Sequence, residues 1–223
     1  MSTDPDSTTP SRPNDAIDTI GDVRVVPVLT IDDAGNATDL VSALVAGGLR
    51  VAEITLRTPS GIEAIRRVAA DVPTAIVGAG TVTTSAAAAA AIDAGARFIV
   101  SPGLDDGVIA TAHERGVPAI PGIATPTELM RALASGANVV KLFPAEVVGG
   151  IDMVAALSAV WPDIRFMPTG GISAANAPRY LAMDRVVAVG GTWMVSRPAV
   201  AAGDWDAVTA AAAEAAALGK VST

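Results

Sequence analysis

Eight short apolar runs recur along this chain at intervals of about 20 to 27 residues, and an alanine-rich stretch with helical character follows each of them. Runs that are apolar on both faces are typical of parallel strands covered on each side. Eight strand–helix units predict an α/β fold, a (β/α)₈ TIM barrel, with an open doubly wound sheet as the alternative. The runs are VRVVPVLT (23–30), RVAEITLR (50–57), TAIVGAGTV (74–82), RFIVSPGL (97–104), VPAIPGIA (117–124), NVVKLFPA (138–145), IRFMPTGG (164–171) and RVVAVGGTW (185–193).

The length of 223 residues fits one barrel domain, which we place at residues 21–223. Residues 1–20 are rich in Ser, Thr, Pro and Asp and are predicted to form a disordered tail. The tail lacks the basic start and apolar centre of a secretory signal, and no later apolar run is long enough to span a bilayer. We therefore expect a cytoplasmic protein with no membrane partner.

Composition excludes several kinds of site. The chain has no cysteine, so it has no disulfide, zinc–thiolate site or cysteine nucleophile, and its single histidine, His113, cannot form a metal cluster alone. No metal and no cofactor are predicted. Acidic residues outnumber basic ones by 23 to 15, which argues against a nucleic-acid partner. A small phosphorylated metabolite remains compatible, since it needs only a local group of donors.

The sixth run places a lysine, Lys141, inside an otherwise apolar strand. Alternation puts Val139, Lys141 and Phe143 on one face and Val140 and Leu142 on the other, and neither face is polar. Burial of an ammonium is costly and favours the neutral amine, which can attack a ketone to form a Schiff base. The alternative is a lysine near a strand end that reaches water or binds an anion.

The second run contains a possible partner for this lysine. Glu53, Thr55 and Arg57 alternate along the strand, so all three can face the barrel interior. In the functional interpretation Glu53 transfers protons beside Lys141 and Arg57 binds a substrate carboxylate through two hydrogen bonds. In the alternative, Glu53 and Arg57 form a buried ion pair.

Other candidates lie at the carboxyl ends of the strands, where barrel enzymes carry their chemistry. GAGT (78–81) and SPG (101–103) are interpreted as tight turns at strand ends. PTGG (168–171) and GGT (190–192) end the last two strands, where barrels often bind phosphate through backbone amides. Both pairs are also compatible with ordinary glycine turns.

From about Val25 to the C-terminal helix, these motifs together resemble one family. In order they are VAEITLRT, AIVGAGTV, FIVSPGL, IPGIATPTEL, VKLFPAE, GGI, RFMPTGGIS and VGGTWMV. They are similar to those of the bacterial 2-keto-3-deoxy-6-phosphogluconate (KDPG) aldolases, which also act on 4-hydroxy-2-oxoglutarate (KHG). The resemblance implies a homotrimeric class I aldolase with a (β/α)₈ fold, acting without cofactor or metal on a small-molecule 2-keto acid, commonly phosphorylated.

The resemblance also implies roles for individual residues. Lys141 corresponds to the Schiff-base lysine and Glu53 to the proton-transferring glutamate. The family often has serine where this chain has Thr192, which keeps the hydroxyl and adds a methyl group. The implied substrate contacts are Arg57 and Thr81 on the pyruvoyl carboxylate, Pro102 and Phe143 around the pyruvoyl carbons, and Thr169, Gly170, Gly171, Gly191 and Thr192 on the distal hydroxyls and phosphate.

Two other functions remain as alternatives. One is a phosphate-binding barrel isomerase or epimerase in which Lys141 only binds charge. The other is a non-catalytic sugar-acid-binding protein.

Overall fold

The structure is a computed structural model, and it describes residues 15–220. Parallel strands alternate with helices along this part of the chain. The strands are β1 (Val25–Leu29), β2 (Val51–Thr55), β3 (Ile76–Gly80), β4 (Ile99–Val100), β5 (Ala119–Ile120), β6 (Gly122–Ile123), β7 (Val139–Leu142), β8 (Arg165–Phe166) and β9 (Val189–Gly191). The helices are α1 (Asp15–Val23), α2 (Ala37–Ala46), α3 (Gly61–Asp71), α4 (Ser85–Asp93), α5 (Asp106–Glu114), α6 (Pro126–Ala134), α7 (Gly150–Val160), α8 (Ala177–Leu181), α9 (Arg197–Ala202) and α10 (Trp205–Gly219), with a short 3₁₀ turn at Ala34–Asn36.

The strands close into a barrel with eight positions. One sheet has the order β5-β4-β3-β2-β1-β9 and the other the order β6-β7-β8. β5 and β6 are the two halves of one predicted run, separated by Pro121, which has no amide proton to donate to a ladder. Bridges from Phe166 to Val186 and from Thr169 to Gly190 join β8 to β9 and close the circle. The predicted (β/α)₈ barrel is therefore confirmed, and each predicted run contains its strand.

Helix ends are specified locally. Thr84, Asp105 and Thr125 begin α4, α5 and α6, and each side chain accepts a hydrogen bond from a backbone amide in the first turn of its helix. Glycines that follow the helices have positive φ angles, as in Gly95 (+104°) and Gly136 (+83°), which is typical of a helix C-terminus. These signals set where each strand begins, and hence which residues reach its carboxyl end.

Two apolar cores follow from the alternation of side chains along the strands. The inner core fills the barrel and includes Val51, Phe98 and Val139. The outer core, between strands and helices, includes Val140 and Leu142. The predicted division of the β7 side chains between two faces is therefore confirmed. Ile17 and Ile20 of α1 belong to the inner core, so this helix closes the amino-terminal end of the barrel.

The predicted extent of the N-terminal tail needs a correction. Residues 15–20 were assigned to a disordered tail, but they form most of α1, whose apolar residues are buried. The polar composition of the first residues hid the apolar spacing of Ala16, Ile17 and Ile20. Residues 1–14 lie outside the described part of the chain, so the prediction for them stays untested. Within residues 15–220, no helix is both long enough and apolar enough to cross a membrane.

Candidate active site

Lys141 and Glu53 meet inside the barrel near the carboxyl ends of their strands. Lys141 is the third residue of β7 and Glu53 the third of β2, and both point inward above the core residues Val139 and Val51. The Nζ atom of Lys141 lies 3.1 Å from Oε1 of Glu53. The side chains are 6% and 0% exposed. Lys141 and Glu53 are 88 residues apart in the chain, and their strands bring them together as the sequence predicted.

The surroundings of this pair are mostly apolar. The aromatic ring of Phe143 has its centroid 5.2 Å from Nζ of Lys141, a distance at which a ring face attracts a cation. The second oxygen of Glu53, Oε2, is buried and has no hydrogen-bond partner among the described residues. A buried carboxylate oxygen without a donor is unfavourable. This oxygen is therefore available to accept a proton from a molecule bound at the site.

Two glycines of β3 make room for this arrangement. A Cβ atom on Gly80 would lie 2.2 Å from Oε1 of Glu53, and one on Gly78 would lie 2.4 Å from the ring of Phe98. Both glycines face the barrel interior, and Gly78 pairs with Glu53 in the β2–β3 register. GAGT was predicted to be a tight turn at a strand end, but its glycines belong to β3 itself. The glycines are needed because the facing side chains occupy the space of a methyl group.

The predicted carboxylate contacts lie just beyond the strands. Arg57 is exposed in the turn after β2. Among the ion pairs of the described residues, the partner of Glu53 is Lys141 and not Arg57. The alternative of a buried Glu53–Arg57 pair is therefore wrong, because β2 ends at Thr55 and the chain turns outward. Thr81 directly follows β3 with φ of +58°. Pro102 lies in the turn after β4, where its carbonyl group packs against the α-carbon of Gly122.

The last two strands end beside the β7 loop. Thr169 is 6% exposed, and Gly170 is packed so closely that an added Cβ would lie 3.0 Å from Cα of Pro144 and 3.3 Å from the Phe143 ring. On the neighbouring strand, Gly191 is buried and Thr192 is exposed. In the described part of the chain, the amides of Gly170 and Gly171 have no hydrogen-bond acceptor. They are donors that a distal substrate group can use.

A cavity of about 490 Å³ lies at the opposite end of the barrel. Its walls include Ile17 and Asp18 of α1, His113 at the end of α5, and Arg165 at the start of β8. Neither a lysine nor a glutamate lines it, so we place the chemistry at the carboxyl ends of the strands. His113 lies in the last turn of α5.

Two residues near the site were not among the predicted candidates. Tyr180 on α8 is completely buried and donates its hydroxyl proton to Oε1 of Glu146, in the loop after β7. Glu146 is the last residue of the motif VKLFPAE, and the sequence predicts no role for its carboxylate. The signal that could have drawn attention to Tyr180 is composition, since it is the single tyrosine in a chain with 3% aromatic residues.

Known proteins resemble this chain over most of its length. The sequence model of the KDPG and KHG aldolase family matches residues 17–211. A 2-dehydro-3-deoxy-phosphogluconate aldolase of Dickeya dadantii is 48% identical over 191 residues, covering 86% of this chain and 90% of that protein. A KHG/KDPG aldolase of Escherichia coli K12 is 46% identical over 191 residues, again covering 86% of this chain and 90% of the relative.

Solved structures show the same relationship. The KDPG aldolase of Legionella pneumophila, crystallised with pyruvate captured as a covalent carbinolamine intermediate, has a TM-score of 0.86 and 38% identity, over 91% of this chain and 97% of that one. The 2-keto-3-deoxy-6-phosphogluconate aldolase of Zymomonas mobilis, crystallised with 3-phosphoglycerate, has a TM-score of 0.84 and 40% identity, over 92% and 96% of the two chains.

The barrel, the buried lysine–glutamate pair and these similarities define the class of protein as a TIM-barrel aldolase, a lyase that cleaves a carbon–carbon bond. Within that class, the chain belongs to the KDPG and KHG aldolase family.

Proposed function

We propose that this protein is a class I aldolase that cleaves KDPG to pyruvate and glyceraldehyde 3-phosphate through a Schiff base on Lys141, and that it also cleaves KHG to pyruvate and glyoxylate. The observation that carries the proposal is the 3.1 Å contact between Nζ of Lys141 and Oε1 of Glu53 in a buried site. The names of the relatives support the choice of substrates.

In the first half of the reaction, Glu53 takes a proton from Nζ of Lys141, and the neutral amine attacks the C2 ketone of the substrate. The carbon–nitrogen bond forms, and a proton passes from the attacking nitrogen to the ketone oxygen, which gives a neutral carbinolamine. Glu53 then donates its proton to that oxygen, water leaves, and an iminium remains. The 3.1 Å separation of Nζ and Oε1 allows these transfers over a single hydrogen bond.

In the second half, the iminium accepts electrons from the bond that breaks. Glu53, unprotonated again after the loss of water, takes the proton of the C4 hydroxyl, the C3–C4 bond breaks, and its electron pair forms the enamine of pyruvate. The aldehyde product leaves. Glu53 then returns the proton to C3, water adds at C2, and cleavage of the carbon–nitrogen bond releases pyruvate and the amine of Lys141.

The remaining site residues bind the two ends of the substrate in this proposal. Arg57 and Thr81 hold the carboxylate next to the ketone, and Pro102 and Phe143 pack against the pyruvoyl carbons. At the distal end, backbone amides and hydroxyls bind the hydroxyl groups and the phosphate. The residues at that end are Thr169, Gly170, Gly171, Gly191 and Thr192.

The setting of this activity also belongs to the proposal. We expect a homotrimer acting in the cytoplasm on a small-molecule 2-keto acid, with no nucleic-acid or membrane partner. The net charge of −8 supports the exclusion of nucleic acid. Sedimentation velocity of the full chain tests the trimer, since a sedimenting mass close to three times 22.2 kDa is expected.

Reductive trapping tests the central step. The protein is incubated with pyruvate and borohydride, digested, and analysed by mass spectrometry for an adduct at Lys141. The chain has two lysines, Lys141 and Lys220, so the modified peptide identifies the nucleophile without ambiguity. Lys220→Arg is the matched control and keeps the adduct, whereas Lys141→Arg loses it.

A coupled assay for pyruvate release from KDPG completes the test. Release of pyruvate together with trapping at Lys141 is expected. A protein that binds phosphate esters without a trapped adduct contradicts the proposal in favour of an isomerase or epimerase. A protein that traps pyruvate but releases none from KDPG or KHG contradicts the proposed cleavage.

A further inference from the structure

Glu146, in the loop after β7, contacts the end of β8, helix α8 and the start of α7. Its backbone amide donates to the carbonyl of Gly170, with a separation of 3.2 Å, next to a second bond of 2.8 Å from the Ala145 amide to the Thr169 carbonyl. Its side chain accepts the hydroxyl proton of Tyr180 on α8. The loop from β7 is therefore fixed both to the end of β8 and to a buried group on a helix.

The side chain of Glu146 packs closely between Gly171 and the start of α7. A Cβ on Gly171 would lie 2.6 Å from Cγ of Glu146. The α-carbon of Gly171 therefore packs directly against the Glu146 side chain. A Cβ on Gly150, the first residue of α7, would lie 3.3 Å from Oε1 of Glu146 and 2.8 Å from the Tyr180 hydroxyl oxygen. The negative charge thus lies at the amino-terminal end of an 11-residue helix, where the helix dipole stabilises it.

The turn formed by Gly170 and Gly171 is also fixed from its other side. Nδ2 of Asn176 donates to the Gly171 carbonyl at 3.0 Å, and Oδ1 of Asn176 accepts from the Ser173 amide at 2.8 Å. Asn176 immediately precedes α8, the helix that carries Tyr180. Both carbonyls of this glycine turn are therefore engaged, while its two amides have no acceptor among the described residues.

We propose that Glu146 and Tyr180 are positioning residues that make the distal end of the site selective for a phosphorylated substrate. The inference rests on the proposed function. An anion binds well to backbone amides only if the amides are fixed before binding. The carboxylate must also stay away from the bound phosphate, since like charges at short distance repel. The Tyr180 hydroxyl fixes the Glu146 side chain that packs against Gly171, and it holds the carboxylate at the amino terminus of α7 instead of leaving it free to turn towards the phosphate.

Two substrates that differ only in the phosphate test this inference, namely KDPG and 2-keto-3-deoxygluconate. Removing the hydroxyl with Tyr180→Phe is expected to raise KM for KDPG about tenfold, the effect of one charge-assisted hydrogen bond, and to change KM for the unphosphorylated substrate less than about twofold. Glu146→Ala is expected to shift the ratio of the two KM values in the same direction. Glu146→Gln keeps an acceptor for Tyr180 and is expected to restore the ratio to within about threefold of wild type.

Asp152→Asn is the matched control. It removes a negative charge near the same helix end, in the first turn of α7, but the Tyr180 hydroxyl bonds Glu146 and not Asp152. It is expected to leave both KM values unchanged. KM does not depend on the amount of folded enzyme, so a lower yield of Tyr180→Phe does not affect the comparison. Glu146 is exposed, so the Glu146 variants are expected to fold and provide an independent test.

Equal changes of KM for both substrates, or no change for either, overturn the proposed positioning role. Trapping of pyruvate at Lys141 in the same variants separates this outcome from a failure of the proposed function. A variant that traps pyruvate normally but loses its preference for KDPG supports the inference. Absence of trapping in the wild-type protein contradicts the proposed function itself.

Discussion

Nζ of Lys141 on β7 lies 3.1 Å from Oε1 of Glu53 on β2, across the interior of the barrel, and the two side chains are almost completely buried. Neither strand adjoins the other in the barrel. The contact therefore depends on both strands having the correct register, so that the third residue of each points inward at the same height.

Loss of one member of this pair is expected to destabilise the fold. Lys141→Met leaves the Glu53 carboxylate buried without its partner, which costs about 3 to 5 kcal/mol in comparable pairs. The double variant Lys141→Met/Glu53→Gln removes the unpaired charge and is expected to recover at least half of the lost free energy of unfolding. Urea denaturation at matched protein concentration measures both values. A double variant less stable than Lys141→Met contradicts the assignment of an ion pair.

Glu53→Gln is expected to separate proton transfer from imine formation. The amide keeps the shape of the side chain but cannot accept and return a proton, so kcat for KDPG should fall about 10²- to 10⁴-fold. Trapping of pyruvate at Lys141 should still occur, more slowly. Kinetics of aldehyde release and the time course of borohydride trapping provide the measurements. A loss of kcat below threefold shows that another group transfers the proton.

Gly80→Ala is expected to displace the Glu53 carboxylate, because the added methyl would lie 2.2 Å from Oε1. The φ angle of Gly80 is not in the positive range that favours glycine, so backbone strain does not contribute. We expect kcat/KM for KDPG to fall at least about tenfold, as for other misplacements of catalytic groups. Gly103→Ala is the matched control, since a Cβ there has no neighbour within 4 Å. Equal activities of the two variants would show that Glu53 can relax without loss.

Arg57→Lys is expected to weaken binding of the 2-keto-acid carboxylate. Lysine keeps the charge but loses the planar pair of donors that binds a carboxylate with two hydrogen bonds. We expect KM for KDPG and the pyruvate concentration for half-maximal trapping to rise together, each about tenfold. Arg185→Lys, in an exposed turn before β9, provides the control. A rise in KM for KDPG alone would place Arg57 at the phosphate and contradict the assigned role.

Ionisation of Tyr180 reports whether the hydroxyl is buried against Glu146. Burial, with a second contribution from the Glu146 carboxylate, raises the pKa of Tyr180 well above its ordinary value of 10.0. The folded protein keeps a proton that the unfolded chain releases near pH 10, so the stability from this group is complete below pH 10 and is lost as the pH rises above it.

The tyrosinate absorbance measures this directly, because the chain contains one tyrosine. We expect no ionisation of the native protein at pH 10, half ionisation near that pH in urea, and no signal at all in Tyr180→Phe. Native ionisation centred on pH 10 would contradict the buried hydrogen bond.

Much of the fold could be predicted from the sequence because its signals are local. The recurrence of apolar runs predicted the eight strand positions, since each run depends on a few neighbouring residues. The apolar surroundings of Lys141 indicated a buried amine for the same reason. The first six residues of α1 fall in the predicted tail because the polar composition around them outweighs the short apolar spacing of Ala16, Ile17 and Ile20, whose burial depends on the inner core.

The sequence by itself determined the order of strands and helices, the inward direction of Lys141 and Glu53, and the set of residues at the strand ends. Only the tertiary structure decided that Glu53 pairs with Lys141 and not Arg57, that Gly80 makes room for the carboxylate, and that Tyr180 holds Glu146. The physical reason is distance. Propensity and alternation act over a few residues, whereas these contacts join groups 88, 27 and 34 residues apart, and closure of the barrel brings them together.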